Sequence, residues 1–421
     1  MKNQSFSELN LAPPIFRAVM AEGYERPTPI QTAAIPHLLL GRDLIGCAQT
    51  GTGKTAAFAL PILQRLLTLR KKALPRGARV LVLTPTRELA AQVSESFKTY
   101  GRHLDLTHAL VFGGVGYAPQ VKSISRGADV LVATPGRLLD LMNKRHVVLS
   151  GVEVFVLDEA DRMLDMGFLP DIKRVIAALP KTRQTLLFSA TMAPDILRLA
   201  EGILTNPVNV AVTPSASTVE TVEEHILFVD ETNKRALLTE LLKSPEIDRA
   251  LVFTRTKHGA DRLVRQLEHA SVDAKAIHGN KSQSVRTAAL ESFRKGRCRV
   301  LVATDIAARG IDVDDISHVI NYDLPNEAQS YVHRIGRTAR AGASGIAISF
   351  CGITERSYLN DIERLLKRRI PVRHDHPYHS ESAANHDCSK GVSARNSGNP
   401  NRGGKKGVMS RGRRARLPRK W

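Results

Sequence analysis

The chain predicts two successive α/β domains, each built on a buried parallel sheet, followed by a disordered basic C-terminal tail. Three observations carry this. Short apolar, β-branched runs recur as far as Phe350, each separated from the next by a longer amphipathic stretch, as buried strands and crossover helices require. A length of 421 residues with 43% apolar content exceeds what one compact core organises. From Cys388 to Trp421 there are 11 basic residues, six glycines and no acidic residue. Such a segment cannot bury enough apolar surface to offset the entropy of ordering.

The elements follow in order. The opening MKNQSFSELNLAPP carries a lone Lys2 and no apolar run, so it does not read as a signal peptide. Leu44-Ile45 is a first strand, and Arg79 to Leu83, Ala109 to Phe112, Val130 to Ala133, Val154 to Leu157 and Thr185 to Phe188 are the next. Each is too short for a helix and too continuous for a half-exposed strand. Arg87 to Tyr100 is an amphipathic crossover helix between two of them. A second set comprises Ile226 to Val229, Leu251 to Phe253, Ala274 to Ile277, Val300 to Ala303, Val319 to Asn321 and Ile346 to Phe350. Between the sets, NPVNVAVTPSASTVETV at 206–222 is rich in Pro, Ser and Thr and marks a boundary. The expected divisions are 1–210, 218–371 and a tail over 372–421.

The formal charge is +20, from 61 basic and 41 acidic residues, and calls for a polyanion, either nucleic acid or an anionic membrane surface. The last 51 residues hold +9 of it, with 12 basic and three acidic side chains. The most apolar stretch, Ala56 to Leu69, is broken by Gln64 and Arg65 and falls short of the ~20 residues a spanning helix needs. Cys47, Cys298, Cys351 and Cys388 form no C-x-x-C pair, which argues against a disulfide framework and a zinc module. The four histidines of HDHPYHSESAANHDC at 374–388 match no closed zinc geometry either. A soluble, cytoplasmic protein is expected.

Chemistry concentrates in three stretches. AQTGTGKT at 48–55 follows an apolar strand and precedes a helix, the context a phosphate-binding loop requires. Ala48, Gln49, Thr50, Gly51, Thr52 and Gly53 form the cradle. Gly51 and Gly53 permit a backbone whose N–H groups turn inward on phosphate oxygens, beside the positive end of the helix. Lys54 would reach the outer phosphates, and the Thr55 hydroxyl would take one position on Mg²⁺. VEVFVLDEAD at 152–161 sets Asp158 and Glu159 beyond another strand. Asp158 suits a hold on Mg²⁺ and Glu159 the orientation and deprotonation of an attacking water. Adjacent carboxylates at a helix start also suit the helix dipole; the phosphate loop on a neighbouring strand favours catalysis. In YVHRIGRTARAG at 331–342, Arg334, Arg337 and Arg340 recur every three residues, which stacks them on one face of a helix. That face is either solvated or set against a triphosphate. The nearby VLVATDIAARGIDV at 300–313, with Gly310 and Asp312 suited to a ribose or a backbone, favours the second.

With these stretches in place, the chain resembles the DEAD-box RNA helicases over nearly all of 6–371. The resemblance rests on DEAD at 158–161, GYERPTPIQ at 23–31, PTRELA at 85–90, Gly113-Gly114, TPGR at 134–137 and SAT at 189–191. It continues through VFTRT at 252–256, Q-S-V-R at 283–286, ATDIAARGID at 303–312 and HRIGRTAR at 333–340. LDEADRMLDMGF and LVFTRTKHGA look most like the bacterial RhlE-like group. Ala339 stands where many members have glycine and leaves the arginine spacing intact.

The resemblance implies two RecA-like domains that close together on ATP and RNA. Gln31 would meet the Hoogsteen edge of adenine, its one donor and one acceptor matching the base, with Phe6 and Tyr24 packing on or near it. Lys54, Asp158 and Glu159 would act in hydrolysis, Arg337 and Arg340 as arginine fingers, and Gly310 and Asp312 beside the ribose. RNA contacts fall on Arg87, Gly114, Thr134 and Arg137 in the first domain and on Gln283, Arg286 and Thr304 in the second. Most would meet phosphates and 2′-hydroxyls, so binding is largely independent of sequence. Asp161, Ser189, Thr191, His333 and Arg334 would link the ATP site to the closed interface. Ser189 and Thr191 serve equally well as caps of the next helix. The implied activity is ATP-driven local separation of short RNA duplexes or remodelling of RNA–protein complexes, by a monomer using Mg²⁺ in ribosomal or RNA-decay assemblies. An ATP-gated RNA clamp would share every motif, and a DNA translocase would share the phosphate loop and the domains. The tail over 388–421 is expected to tether RNA.

Overall fold

The computed structural model describes residues 5–49, 51–212, 222–308, 316–338 and 345–386. The first sheet contains β1 (Leu44–Cys47), β2 (Ala78–Leu83), β3 (His108–Val111), β4 (Ala128–Ala133), β5 (Val154–Leu157), β6 (Gln184–Ser189) and β7 (Val208–Ala211). Their order across the sheet is β3-β4-β2-β5-β6-β1-β7. The second contains β8 (Val222–Phe228), β9 (Ala250–Phe253), β10 (Ala274–Ile277), β11 (Val300–Ala303), β12 (His318–Asn321) and β13 (Gly345–Cys351), ordered β10-β11-β9-β12-β13-β8. All pairings between these strands are parallel.

Burial explains the continuous apolar runs. Every position of β2, β4, β5 and β6 is buried because helices cover both faces. Val80 and Val82 join the core with Phe58 and Phe97 on one face, while Leu81 and Leu83 join Phe155 and Leu187 on the other. That alternation is the two-residue period of a strand. The second sheet divides likewise, with Val252 and Ile320 on one side and Leu251 and Val319 on the other. The helix Arg87–Tyr100 begins where expected. The Thr86 hydroxyl caps it by accepting from the Leu89 amide at 3.3 Å.

Two expectations are corrected. Val208–Ala211, inside the segment read as a boundary, is an edge strand paired with β1. Of its residues only Val210 is buried, so it has no apolar run to advertise it. Residues 372–386, read as the start of a disordered tail, fold against the second domain. The amide of Ile226 donates to Pro371 O at 2.8 Å, Arg373 to Ile226 O at 2.9 Å and Ser380 to Phe228 O at 3.0 Å. The strap ends in the short helix Glu381–Ala384, whose Ala383 is buried with Ile226 and Phe228. β8 is the outermost strand of its sheet, and its exposed backbone groups need partners; the strap supplies them. The tail over 388–421 lies outside the described residues. Among the described residues, no helix is long and apolar enough to cross a membrane.

The motifs sit at one edge of each sheet. AQTGTGKT follows β1, PTRELA follows β2, Gly113-Gly114 follows β3, TPGR follows β4, DEAD follows β5 and SAT begins at the end of β6. In open parallel sheets, ligands bind beyond these carboxyl ends.

Candidate functional site

The phosphate loop leaves β1 and enters the helix Lys54–Thr68 with Gly51 at φ 85° and Gly53 at φ 89°. A Cβ on Gly53 would stand 2.4 Å from Gln31 Nε2, so only glycine admits the close approach. Gln31 is buried in the helix Pro29–Leu39. Its Oε1 accepts from the Thr28 amide at 2.9 Å and its Nε2 donates to Gly53 O at 3.1 Å. Those bonds use one donor and one lone pair of the carboxamide and leave one of each. Lys54 Nζ donates to Ala48 O at 2.7 Å, and the Thr52 hydroxyl to Gln49 O at 2.7 Å; Thr55 is half-buried. Phe6 is buried and stacks on Tyr24 with centroids 6.2 Å apart. Of this pair, only Tyr24 reaches the surface.

Asp158 and Glu159 follow β5, and both are buried. Burial pushes the Asp158 carboxyl up to about 7, against the pull of Lys54 and with the push of Glu159 and Asp161. Its Oδ1 is buried without a hydrogen-bond partner. Glu159 holds a left-handed backbone at φ 53°, a strained geometry for a non-glycine residue that tends to be kept at functional sites. Burial pushes its carboxyl up too, but the Arg162, Lys54 and Arg337 cations outweigh that and hold it below the usual range. Arg162 donates to Glu159 Oε2 at 2.7 Å.

Asp161 ties this loop to SAT. Its Oδ2 accepts from the amides of Ala190 and Thr191, each at 3.0 Å, and from the Thr191 hydroxyl at 3.2 Å; its own amide donates to Ser189 Oγ at 3.3 Å. The next helix, Pro194–Glu201, takes no side-chain cap, so here Ser189 and Thr191 serve Asp161 instead.

The arginine series departs from expectation. Its helix, Ala328–Ile335, stops at Gly336, so Arg334 and Arg337 do not share a helical face. Glycine is a poor helix former, and Arg334 is anchored elsewhere. Buried, it donates to both oxygens of Asp305 at 2.5 and 2.8 Å, to Asn321 Oδ1 at 3.1 Å and to Asp323 O at 2.6 Å. It braces the second domain internally. Arg337 lies in the turn beyond, near enough to Glu159 for its charge to act across the domain boundary; His333 O accepts from its Nε at 3.3 Å. Thr50, Gly310, Asp312 and Arg340 lie outside the described residues.

The expected RNA contacts form a band across both domains. Arg87 opens its helix against Gly114, whose φ is 81° and whose Cβ, if present, would stand 2.0 Å from Arg87 Nη1. Arg137, in the helix Pro135–Asn143 that Thr134 precedes, donates to Val115 O at 3.1 Å. Gln283 opens the helix Gln283–Arg294 of the second domain, and Thr304 follows β11. Glu88 bridges the domains. It accepts from Gln283 Nε2 at 3.0 Å and pairs with Arg286 at 2.9 Å, while Arg87 reaches Gln283 Oε1 at 3.4 Å.

Comparison with known proteins decides the family. A family model described as DEAD/DEAH box helicase matches residues 28–199, and one described as helicase conserved C-terminal domain matches 233–342. The chain is 44% identical over 368 residues to the DEAD-box ATP-dependent RNA helicase CshA of Bacillus cereus, covering 87% of this chain and 69% of that protein. The chain belongs to the DEAD-box ATP-dependent RNA helicases. The Escherichia coli ATP-dependent RNA helicase SrmB is 44% identical over 372 residues, covering 88% of this helicase and 83% of SrmB. Among solved structures, S. cerevisiae Dbp5 bound to RNA and ADP BeF3 superposes with a TM-score of 0.77 at 35% identity, over 87% of this chain and 95% of that one. A DEAD box protein from Methanococcus jannaschii gives 0.51 at 39% identity, over 88% and 99%.

The helicase therefore binds ATP and RNA. The donor set also fits Mg²⁺: an unpartnered buried Asp158 oxygen and the Thr55 hydroxyl stand beside the phosphate loop, hard oxygen ligands of the kind this ion takes. Two residues of the site carried no expected role. Glu88 lies inside the quoted PTRELA, but its partners are 195 and 198 residues away and nothing local announces them. Arg162 follows DEAD directly, and its spacing of three from Glu159 was the readable signal.

Proposed function

We propose that this helicase couples ATP hydrolysis to closure of its domains on RNA, and so separates short duplexes locally or remodels RNA–protein complexes. The observation that supports this best is the bridge at Glu88. It gathers Arg87, Gln283 and Arg286, three residues expected at RNA, across the same domain boundary over which Arg337 acts on Glu159. Ligands that each favour one closed arrangement bind with positive coupling. The likeness to Dbp5 bound to RNA and ADP BeF3 supports a chain that takes nucleotide and RNA together.

In this reading the amides of the phosphate loop and Lys54 hold the phosphates, and Gln31 selects adenine. Thr55 and Asp158 hold Mg²⁺, which neutralises phosphate charge when bound. Glu159, kept ionised by Arg162, Lys54 and Arg337, accepts a hydrogen bond from the attacking water, orients it and takes its proton. Arg337 and Arg340 meet charge on the transferring phosphoryl, a contribution of ~10³-fold or more in rate. Gly310 and Asp312 would serve the ribose. Asp161, Ser189, Thr191, His333 and Arg334 keep these groups in register. The closed state holds one RNA strand in a bent path that a regular duplex cannot follow, and hydrolysis releases it.

We further assign membership of the RhlE-like group, a cytoplasmic monomer, and service in ribosome biogenesis or RNA decay, with the first domain carried to Ala211, where β7 ends, and the second to residue 386, where the strap ends. The test of the mechanism is Glu159→Gln. RNA-stimulated phosphate release should be lost while ATP-dependent RNA binding survives. Normal turnover in that variant would remove Glu159 from its role, and a chain that hydrolyses ATP yet displaces no strand would be an RNA clamp.

A further inference from the structure

Beyond Arg137, the first domain carries a cluster with no assigned role. Tyr117 opens the helix Tyr117–Ile124 immediately after the Gly113–Gly116 loop. Two cations lie against its ring: the Arg137 guanidinium 4.3 Å and the Lys144 ammonium 4.0 Å from the centroid. Lys144 Nζ also donates to the Tyr117 hydroxyl at 3.0 Å. One carboxylate, Asp140, serves both cations, at 3.3 Å from Lys144 and 3.9 Å from Arg137. The cluster keeps a net positive charge, and the Lys144 side chain is about half exposed at 52%.

The surroundings are rigid. Gln120 holds the glycine loop, its Oε1 accepting from the Phe112 amide at 3.0 Å and its Nε2 donating to Gly116 O at 3.0 Å. Arg137 is thereby held between the Val115 carbonyl and the Tyr117 ring. The cluster continues the line from Arg87 and Gly114 to Arg137.

We propose that Tyr117 and Lys144 extend the RNA track of the first domain: the Tyr117 ring positions the Arg137 guanidinium, and Lys144 supplies a further phosphate contact. This rests on the RNA reading of Arg137 given above. A guanidinium is flexible on its stem, and a ring beneath it restricts its orientation without consuming its donors. Lys144 can shift from Asp140 to a phosphate at little cost, because exposed ion pairs contribute little.

The experiment titrates single-stranded RNA against ATPase rate and against direct binding at several salt concentrations, with the full chain and its variants. Lys144→Gln should flatten the dependence of log K on log salt by ~0.7, the share of one single-strand phosphate. Lys243→Gln, at an exposed lysine of the second domain, should leave the slope alone. Tyr117→Leu should raise the RNA KM roughly two- to five-fold, the range of an exposed cation–π contact, with the effect falling on KM rather than kcat. Tyr117→Phe, which keeps the ring face and loses the hydroxyl, should restore KM. An unchanged salt slope in Lys144→Gln overturns the phosphate contact. An unchanged KM in Tyr117→Leu, or a loss that Tyr117→Phe does not repair, overturns the positioning role. Absence of RNA-stimulated ATPase in the unaltered chain would instead refute the underlying function, before any variant is compared.

Discussion

Removing Glu88 tests whether the bridge between the domains sets the closure equilibrium. Glu88 and Arg286 are 5% and 9% exposed, and their 2.9 Å contact joins different domains. Burial pulls the Arg286 guanidinium below its usual range, against the pull of Glu88 and with the push of Arg87. In Glu88→Ala, Arg286 would remain buried in the closed form without its counter-charge, and Gln283 would lose an acceptor. Hydrogen bonds to charged groups contribute about 1.5–3 kcal/mol each, and hydration of both partners in the open form returns part of that. A net loss of about 2–4 kcal/mol is expected, or roughly 30- to 700-fold in the closed-to-open ratio. Each domain keeps its own core, so the loss should fall on closure and not on thermal unfolding. Dyes on the two domains would report closure by energy transfer with RNA and a non-hydrolysable ATP analogue, alongside RNA affinity with and without the nucleotide. Glu88→Gln, which keeps an oxygen acceptor, should fall between. The reasoning fails if Glu88→Ala closes as readily as the parent, or if RNA affinity falls equally with and without nucleotide.

Other outcomes can be checked directly. Gly114→Ala places a methyl against Arg87 and a side chain at φ 81°; it should cost at least ~1 kcal/mol and weaken RNA binding in a filter or anisotropy assay. Lys234 is fully buried with Glu355 at 2.7 Å and Glu231 at 2.8 Å. Burial works against its charge, but Glu355 and Asp323 outweigh that and hold its ammonium above the usual range. Lys234→Met should therefore destabilise the second domain by about 3 kcal/mol, because a buried carboxylate is left short of a partner; a urea midpoint measures it. Deleting 388–421, which carries 11 cations, should flatten the salt dependence of RNA binding by ~0.7 per phosphate released and barely change ATPase at saturating RNA, since a tether acts through local concentration.

What could be read from the residues divides by range. Val154–Leu157, Ala274–Ile277 and Val300–Ala303 are strands with the expected limits, because burial on both faces makes an apolar run continuous. β7 escaped because an edge strand with one buried residue has no such run. The strap escaped because its order comes from backbone bonds to β8 rather than from its composition. Within the site, the glycines of the phosphate loop and the carboxylates after β5 were legible as local chemistry. The separation of Arg334 from Arg337 had a local signal in Gly336, which ends the helix between them, whereas the anchoring of Arg334 by Asp305 and Asn321 had none in the sequence. Glu88 shows the same limit: a carboxylate in a helix's first turn looks like dipole compensation until its partner arrives from the other domain.

The strap also decides where this chain can safely be shortened. Ending it after residue 371 would strip the outer strand of the second sheet and leave an unsatisfied row of amides and carbonyls that another molecule could zip onto. Ending it at 387 leaves that border sealed. A shortened helicase that aggregates would then be reporting an exposed sheet margin rather than the loss of the basic segment, and light scattering on the two lengths would tell them apart.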